Sequence, residues 1–177
     1  MIGKGVIDID GREVARQGAL DGQVVVFSLA EEKYGIEISL VREIVKWSKT
    51  TELPQMSEEL SGVIKLRDQV IPVISLRKKF GWPEVESLVD TKIIILEIDS
   101  VSVGINVDDV DAVIDVPSSV VEPTNGLMGQ SNMISGIAKL PDLLLILLDV
   151  RALFSSGVLE QIAQEELAEA QGGVEIV

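Results

Sequence analysis

The sequence predicts an all-β protein: two five-stranded barrel subdomains packed side by side, with short helices. Three observations carry that prediction. Short apolar runs recur along the chain, among them the largely β-branched "VVVFSL" (24–29) and "IIILEI" (93–98) and the Leu-rich "LLLILL" (143–148). The chain also repeats itself, which must be recognised before any fold is assigned. At an offset of 69, Gly35 falls on Gly104, Ile36 on Ile105 and Val41 on Val110. Beyond a five-residue insertion the offset becomes 74, and "SGVIKLRDQVIPVISLRKKF" (61–80) lies on "SGIAKLPDLLLILLDVRALF" (135–154) with Ser, Gly, Lys, Leu, Asp, Arg and Phe shared. Finally, strands this apolar need their edges covered, and closing each half into a small barrel removes the edges. A mean hydropathy of +0.34 fits strands buried on one or both faces.

The elements follow in order. Residues 1–22 are polar and Gly-rich without a period and read as a flexible arm. The domain is expected over 23–156, in halves of about 23–90 and 91–156, with a C-terminal helix and tail over 157–177. The run 24–29 is a strand and "EEKYG" (31–35) a turn. In 34–47, Ile36 and Ile38 point inward and Glu37 outward, after which Val41, Ile44 and Val45 continue the pattern across a possible bulge. The stretch 50–62 is a polar connection in which Ser57 can cap a helical turn. "GVIKLRDQVIPVISLR" (62–77) is a hairpin with Lys65, Arg67 and Asp68 at its tip, where tight hairpins favour Asn-Gly or Asp-Gly. "SLRKKFGW" (75–82) is a short helix ended by Gly81 and Pro83. The second half repeats this outline, with "GLMGQSN" (126–132) a mobile loop. Gly35 and Gly104 are expected at a turn or bulge where a Cβ does not fit. In 158–171, Leu159, Ile162, Ala163, Glu166, Leu167 and Ala170 share one stripe at helical spacing, the pattern of a helix packed on its own domain.

Composition narrows function by exclusion. The chain has no Cys and no His, which removes thiolate chemistry, the usual zinc ligands and the usual general base near neutral pH. Its net charge of −14 argues against a nucleic-acid partner. The charge is uneven: residues 1–92 carry 13 Lys/Arg against 15 Asp/Glu, and residues 93–177 carry 2 against 14. The longest apolar run, 143–148, falls far short of the about 20 residues a membrane span needs, and "MIGKGVIDID" has no apolar signal core. A soluble cytoplasmic protein without membrane insertion is expected. Two β halves invite comparison with the aspartic proteases, but "DTK" (90–92) and "DSV" (99–101) lack the required Gly and are not equivalent in the repeat. "VDDVDAVID" offers Asp108, Asp109, Asp111 and Asp115 without the Gly turn of a calcium loop. A phosphate-binding Gly loop is absent. No cofactor or metal is expected, and a binding module is favoured over a catalyst, an enzyme using carboxylates alone being the alternative from another class.

The blocks "YGIEISLVREIV", "LPQMSEELSGVIKLRDQVIPVISLRKKFG" and "VGINVDDVDAVIDV", in this order and spacing, resemble the CheW family of chemotaxis adaptors over residues 23 to 155. The resemblance implies two SH3-like barrels and a scaffold without enzymatic activity. It implies two partners, the cytoplasmic tip of a chemoreceptor and the regulatory domain of a CheA-type histidine kinase, and recruitment to membrane-associated receptor arrays. The family's Asn-Leu-Arg-Gly tip falls on Lys65, Leu66, Arg67 and Asp68, and its Val-x-Glu-Ile segment on Val41, Arg42, Glu43 and Ile44. Val41, Glu43, Ile44, Lys65, Arg67 and Asp68 are thereby implied to face a partner. Val103, Gly104, Val110 and Val113 are implied to line a groove between subdomains that receives a receptor helical hairpin. Taken alone, Arg67 reads as a solvated charge at a hairpin tip; the motif match turns it into a binding residue. Lys65 and Asp68 depart from the motif and add one charge of each sign to the tip. The alternative is a paralogue serving a receptor–kinase pathway outside chemotaxis.

Overall fold

The computed structural model describes residues 22–54, 58, 60–84, 91–124 and 133–154. The N-terminal arm up to residue 21, the Ser57 cap, the 126–132 loop and the C-terminal helix lie outside the described residues. Eleven strands and two short helices are described: β1 (Gly22–Leu29), β2 (Glu32–Glu37), β3 (Val41–Lys46), β4 (Leu60–Leu66), β5 (Gln69–Ser75), α1 (Leu76–Lys79), β6 (Lys92–Ile98), β7 (Val101–Val107), β8 (Asp109–Val116), β9 (Val121–Glu122), β10 (Ile134–Leu140), β11 (Leu143–Leu148) and α2 (Val150–Leu153). The all-β expectation holds. Among the described residues no helix is long and apolar enough to cross a membrane.

The strands form a six-stranded sheet, ordered β8-β1-β2-β11-β10-β9, and a five-stranded sheet, ordered β3-β6-β7-β5-β4. The sheets do not coincide with the two copies of the repeat, so a division near residue 90 does not separate them. Each sheet takes its first hairpin from one copy, β1–β2 or β6–β7, and its other strands from the other copy. Two compact units result, 1–39 with 110–149 and 40–109 with 150–177. Equivalent parallel pairings carry the exchange: Gly35 lies opposite Leu147, and Gly104 opposite Val73. Those partners are themselves related by the repeat's two offsets.

In each sheet the two edge strands are joined by one short run of chain, which curls the sheet toward a barrel. In the six-stranded unit β8 leads through Pro117 and a 3₁₀ turn (Ser118–Val120) to β9 on β10. In the five-stranded unit β3 leads to Thr51, which exchanges backbone hydrogen bonds of 2.8 and 2.9 Å with Val63 of β4. Val24, Val26, Val116, Ala138, Leu145 and Leu147 fill the first barrel, and Ile64, Ile71, Val73, Ile93 and Ile95 the second. β1 and β6 are buried on both faces, which accounts for their unbroken apolar runs.

Glycine placement differs from expectation. Gly35 and Gly104 sit in mid-strand, at neither a turn nor a bulge. A Cβ on Gly35 would come within 2.5 Å of Val24 Cγ1, and one on Gly104 within 2.9 Å of Ile93 Cγ2, so packing excludes the side chain. The glycine bulges fall instead at Gly62 and Gly136, the shared glycines of the Ser-Gly pair, where the register shifts in both copies. The turn after β1 is Ala30–Glu31, ahead of the expected 31–35, and its counterpart is Asp99–Ser100; both pairs have positive φ of 51° and 71°. That is the two-residue turn whose twist suits a hairpin. The short helix α1 is as expected. Ser75 Oγ accepts from the Lys78 amide at 3.2 Å, and Gly81 (φ 80°) ends the helix with Gly81 N–H to Lys78 O and Trp82 N–H to Arg77 O.

Candidate functional site

The β4–β5 tip and β3 build one surface of the five-stranded unit. The β3 register shifts between Val41 and Glu43, a bulge that re-aims the following side chains. Glu43 is three-quarters buried at 24% exposed, whereas Arg67, at the tip, is 66% exposed. Arg67 closes a fork on Glu43, Nη1 to Oε2 at 2.7 Å and Nη2 to Oε1 at 3.1 Å. Such a bidentate pair fixes direction as well as charge. Arg67 reaches it with a φ of 58°, in the left-handed region where a non-glycine side chain is uncommon. The second copy has Pro141 at this position, and a proline ring excludes that φ. The two tips therefore turn differently, and only the first can hold this fork.

The hydrogen bonds from Arg67 hold the Glu43 carboxyl below the usual glutamate value; partial burial opposes them, and the positive charges of Arg67 and Arg42 add to the lowering. The same fork raises the Arg67 guanidinium. Arg42 donates from Nη1 to Gln69 Oε1 at 2.7 Å and to Ser102 Oγ at 3.0 Å, tying β3 to β5 and β7. Sequence reasoning missed Arg42. Its place inside the Val-Arg-Glu-Ile segment was the available signal.

The structure thus joins Glu43 and Arg67 directly. Lys65 and Asp68 are exposed beside Arg67, Val41 is half-buried, and Ile44 is exposed on β3. Val103 and Gly104 differ from expectation. Both are buried in mid-β7, with Val103 0% exposed, so they complete the sheet and offer a partner no surface. Val110 (half-buried) and Val113 (46% exposed) lie on β8 in the six-stranded unit.

A second polar cluster joins Ser28, Lys33 and Asp111. Lys33 Nζ donates to Asp111 Oδ2 at 2.5 Å and to Ser28 Oγ at 2.7 Å. Ser28 in turn donates to both oxygens of Asp111, at 3.0 and 3.2 Å. The cluster ties β1, β2 and β8 together. Among the described residues no group of three or more Asp or Glu side chains converges as a metal site.

Comparison with known proteins fits this architecture. Residues 23–158 match the family model described as the CheW-like domain. The chain is 36% identical to the chemotaxis protein CheW of Bacillus subtilis over 132 residues, covering 73% of this chain and 85% of that protein. It is 33% identical to chemotaxis protein CheW of Treponema pallidum over 147 residues, covering 80% and 86%. The crystal structure of the scaffolding protein TtCheW from Thermoanaerobacter tengcongensis superposes with a TM-score of 0.71 at 38% identity, covering 77% of this chain and 94% of that one.

Proposed function

The chain belongs to the CheW-like family, and on that premise we propose that it is a non-enzymatic adaptor. It couples the cytoplasmic tip of a chemoreceptor to the regulatory domain of a CheA-type histidine kinase, in the cytoplasm at receptor arrays. The observation that carries this reading is the Arg67–Glu43 fork. A left-handed arginine at an exposed tip is a costly way to build a hairpin that the second copy closes with proline. What the strained backbone achieves is a fixed guanidinium at the surface, with Lys65 and Asp68 beside it. Charged groups held in this way set register and encounter rate in a protein interface. Around the fork, Ile44 and Val70 supply exposed apolar area, 39% and 44% exposed. The family names on the relatives, chemotaxis and scaffolding proteins, support the same reading.

The test is Arg67→Glu in the full chain, assayed by pull-down and calorimetry against a receptor cytoplasmic hairpin and a kinase regulatory domain. Binding to at least one partner should fall about tenfold or more while the melting midpoint stays nearly constant. Unaltered binding to both would remove the tip from the interface.

A further inference from the structure

We propose, resting on the reading that the β4–β5 tip faces a partner, that Arg42 is a preset binding point for a carboxylate: an Asp or Glu side chain of that partner binds the open edge of its guanidinium. The β3 register pairs Val41 with Leu96 and Glu43 with Ile95, so Arg42 is the extra residue of the bulge. Its Nη1 donates to Gln69 Oε1 at 2.7 Å and to Ser102 Oγ at 3.0 Å, which uses both protons of that nitrogen. Ser102 is buried in β7, and Gln69 opens β5 two residues beyond Arg67. A guanidinium is planar and rigid, so anchoring one nitrogen orients the whole group. Nη2 and Nε have no acceptor among the described residues, and Arg42 is exposed. Together they form an edge that takes a carboxylate through two parallel hydrogen bonds.

The charge of Arg42 is uncompensated. Of the described arginines, Arg67, Arg77 and Arg151 each meet a carboxylate at 2.7 Å, in Glu43, Asp108 and Asp99. Arg42 is held by neutral oxygens alone and has no ion pair among the described residues. The adjoining Glu43 has both of its oxygens on Arg67. Ile44 and Val70, next in sequence to Glu43 and Gln69, are exposed and add apolar area. The surface therefore suits a partner segment in which an acidic side chain stands among apolar ones.

The repeat supplies an internal control. At the offset of 69, Arg42 falls on Asp111, Ser102 on Lys33 and Glu97 on Ser28. In the six-stranded unit these three positions form the closed cluster in which Lys33 and Ser28 both donate to Asp111. There the charge at the Arg42 position is neutralised by its neighbour. In the five-stranded unit Glu97 lies opposite Ser102 yet makes no ion pair with Arg42. Tying three strands together does not demand an open cation, because the other unit does it with a satisfied pair. The five-stranded unit makes the tie with neutral acceptors and keeps a fixed positive charge at the surface, on the same bulge that aims Glu43 at Arg67.

Calorimetry of the full chain against a receptor cytoplasmic hairpin and a kinase regulatory domain tests this. Arg42→Gln should weaken binding to one of them about tenfold. Arg42→Lys keeps the charge without the fork and should recover only part of the loss. In the Arg42→Glu chain, one of a series of single Asp→Lys or Glu→Lys reversals on that partner should restore most of the binding. Restoration by charge exchange is a result that a purely structural Arg42 cannot give. Wild-type affinity of Arg42→Gln for both partners overturns the proposal, as does a loss in Arg42→Glu that no partner reversal restores. Where Arg42→Gln or Arg42→Glu lowers the melting midpoint, double-mutant cycles of Arg42→Lys with Asp→Asn and Glu→Gln variants of the partner decide, and strictly additive effects overturn it. Arg67→Glu separates the two claims. If it weakens binding while Arg42→Gln does not, the Arg42 inference alone fails; if wild type binds neither partner, both fail.

Discussion

Three glycine-to-alanine substitutions separate the two costs that the bulge in the β4–β5 hairpin combines. Gly62 has a φ of 145°, and a Cβ there would lie 2.6 Å from the backbone oxygen of Thr51 and 2.9 Å from Thr50 Cβ. Gly81 has a positive φ of 80° but open space around it, so Gly81→Ala isolates the backbone cost of about 1–2 kcal/mol. Gly136 is the repeat counterpart of Gly62 without the unusual φ, and its Cβ would meet Val121 Cγ1 at 2.8 Å and Glu122 O at 3.0 Å. Gly136→Ala therefore isolates the cost of overpacking, about 1–3 kcal/mol. Gly62→Ala incurs both, against a backbone oxygen that cannot rotate away, and should cost about 3 kcal/mol or more. It also disturbs the Thr51–Val63 bridge that closes the barrel. Urea unfolding followed by circular dichroism gives the three values, provided the slopes agree with wild type. A Gly62→Ala cost no larger than that of Gly81→Ala would refute the close-approach argument, because the contact with Thr51 would then carry no energy.

Other predictions concern the ion pairs and the exposed valine. The Glu43 carboxyl titrates below its ordinary value of 4.5 because of the fork to Arg67; a lowered acid stabilises the fold above that value and loses the contribution as pH falls through the lowered one. Side-chain NMR should show Glu43 moving back toward 4.5 in Arg67→Ala, and an unmoved titration would mean the fork does not persist in solution. Arg77→Ala removes a half-buried fork to Asp108, at 2.7 and 3.2 Å, and should cost about 1–3 kcal/mol in urea unfolding, with Arg77→Lys recovering only part. Val103→Asp buries a carboxylate in mid-β7 and should abolish cooperative melting, whereas Val113→Asp, on the exposed side of β8, should shift unfolding by no more than about 0.5 kcal/mol.

Much of this was legible in the residues. The apolar runs at 24–29 and 93–98 announced strands, and the Ser-Gly pair marked both bulges by recurring in both copies. The helix after β5 was readable from Ser75 and Gly81 because caps are local chemistry. The exchange of first hairpins was not readable. Periodicity reports which face of a strand is apolar and is silent on which strand lies alongside. Val103 was placed at a partner groove by the family motif, and because β7 is buried on both faces its alternation offered no check on that placement. Gly35 and Gly104 signalled a missing Cβ without saying whether turn or packing excluded it. At the tip the motif supplied Arg67 and Glu43 separately. Their contact spans 24 residues and depends on a left-handed arginine that propensity argues against.

An adaptor must hold two partners at once. A receptor cytoplasmic hairpin fixed to beads, offered the kinase regulatory domain with and without the full chain, measures that directly. The adaptor reading predicts that the kinase domain is retained in proportion to added chain, and that Arg67→Glu lowers the retained amount by about tenfold at matched concentration. Retention that is independent of the chain, or a chain that binds neither partner while folded, would contradict it.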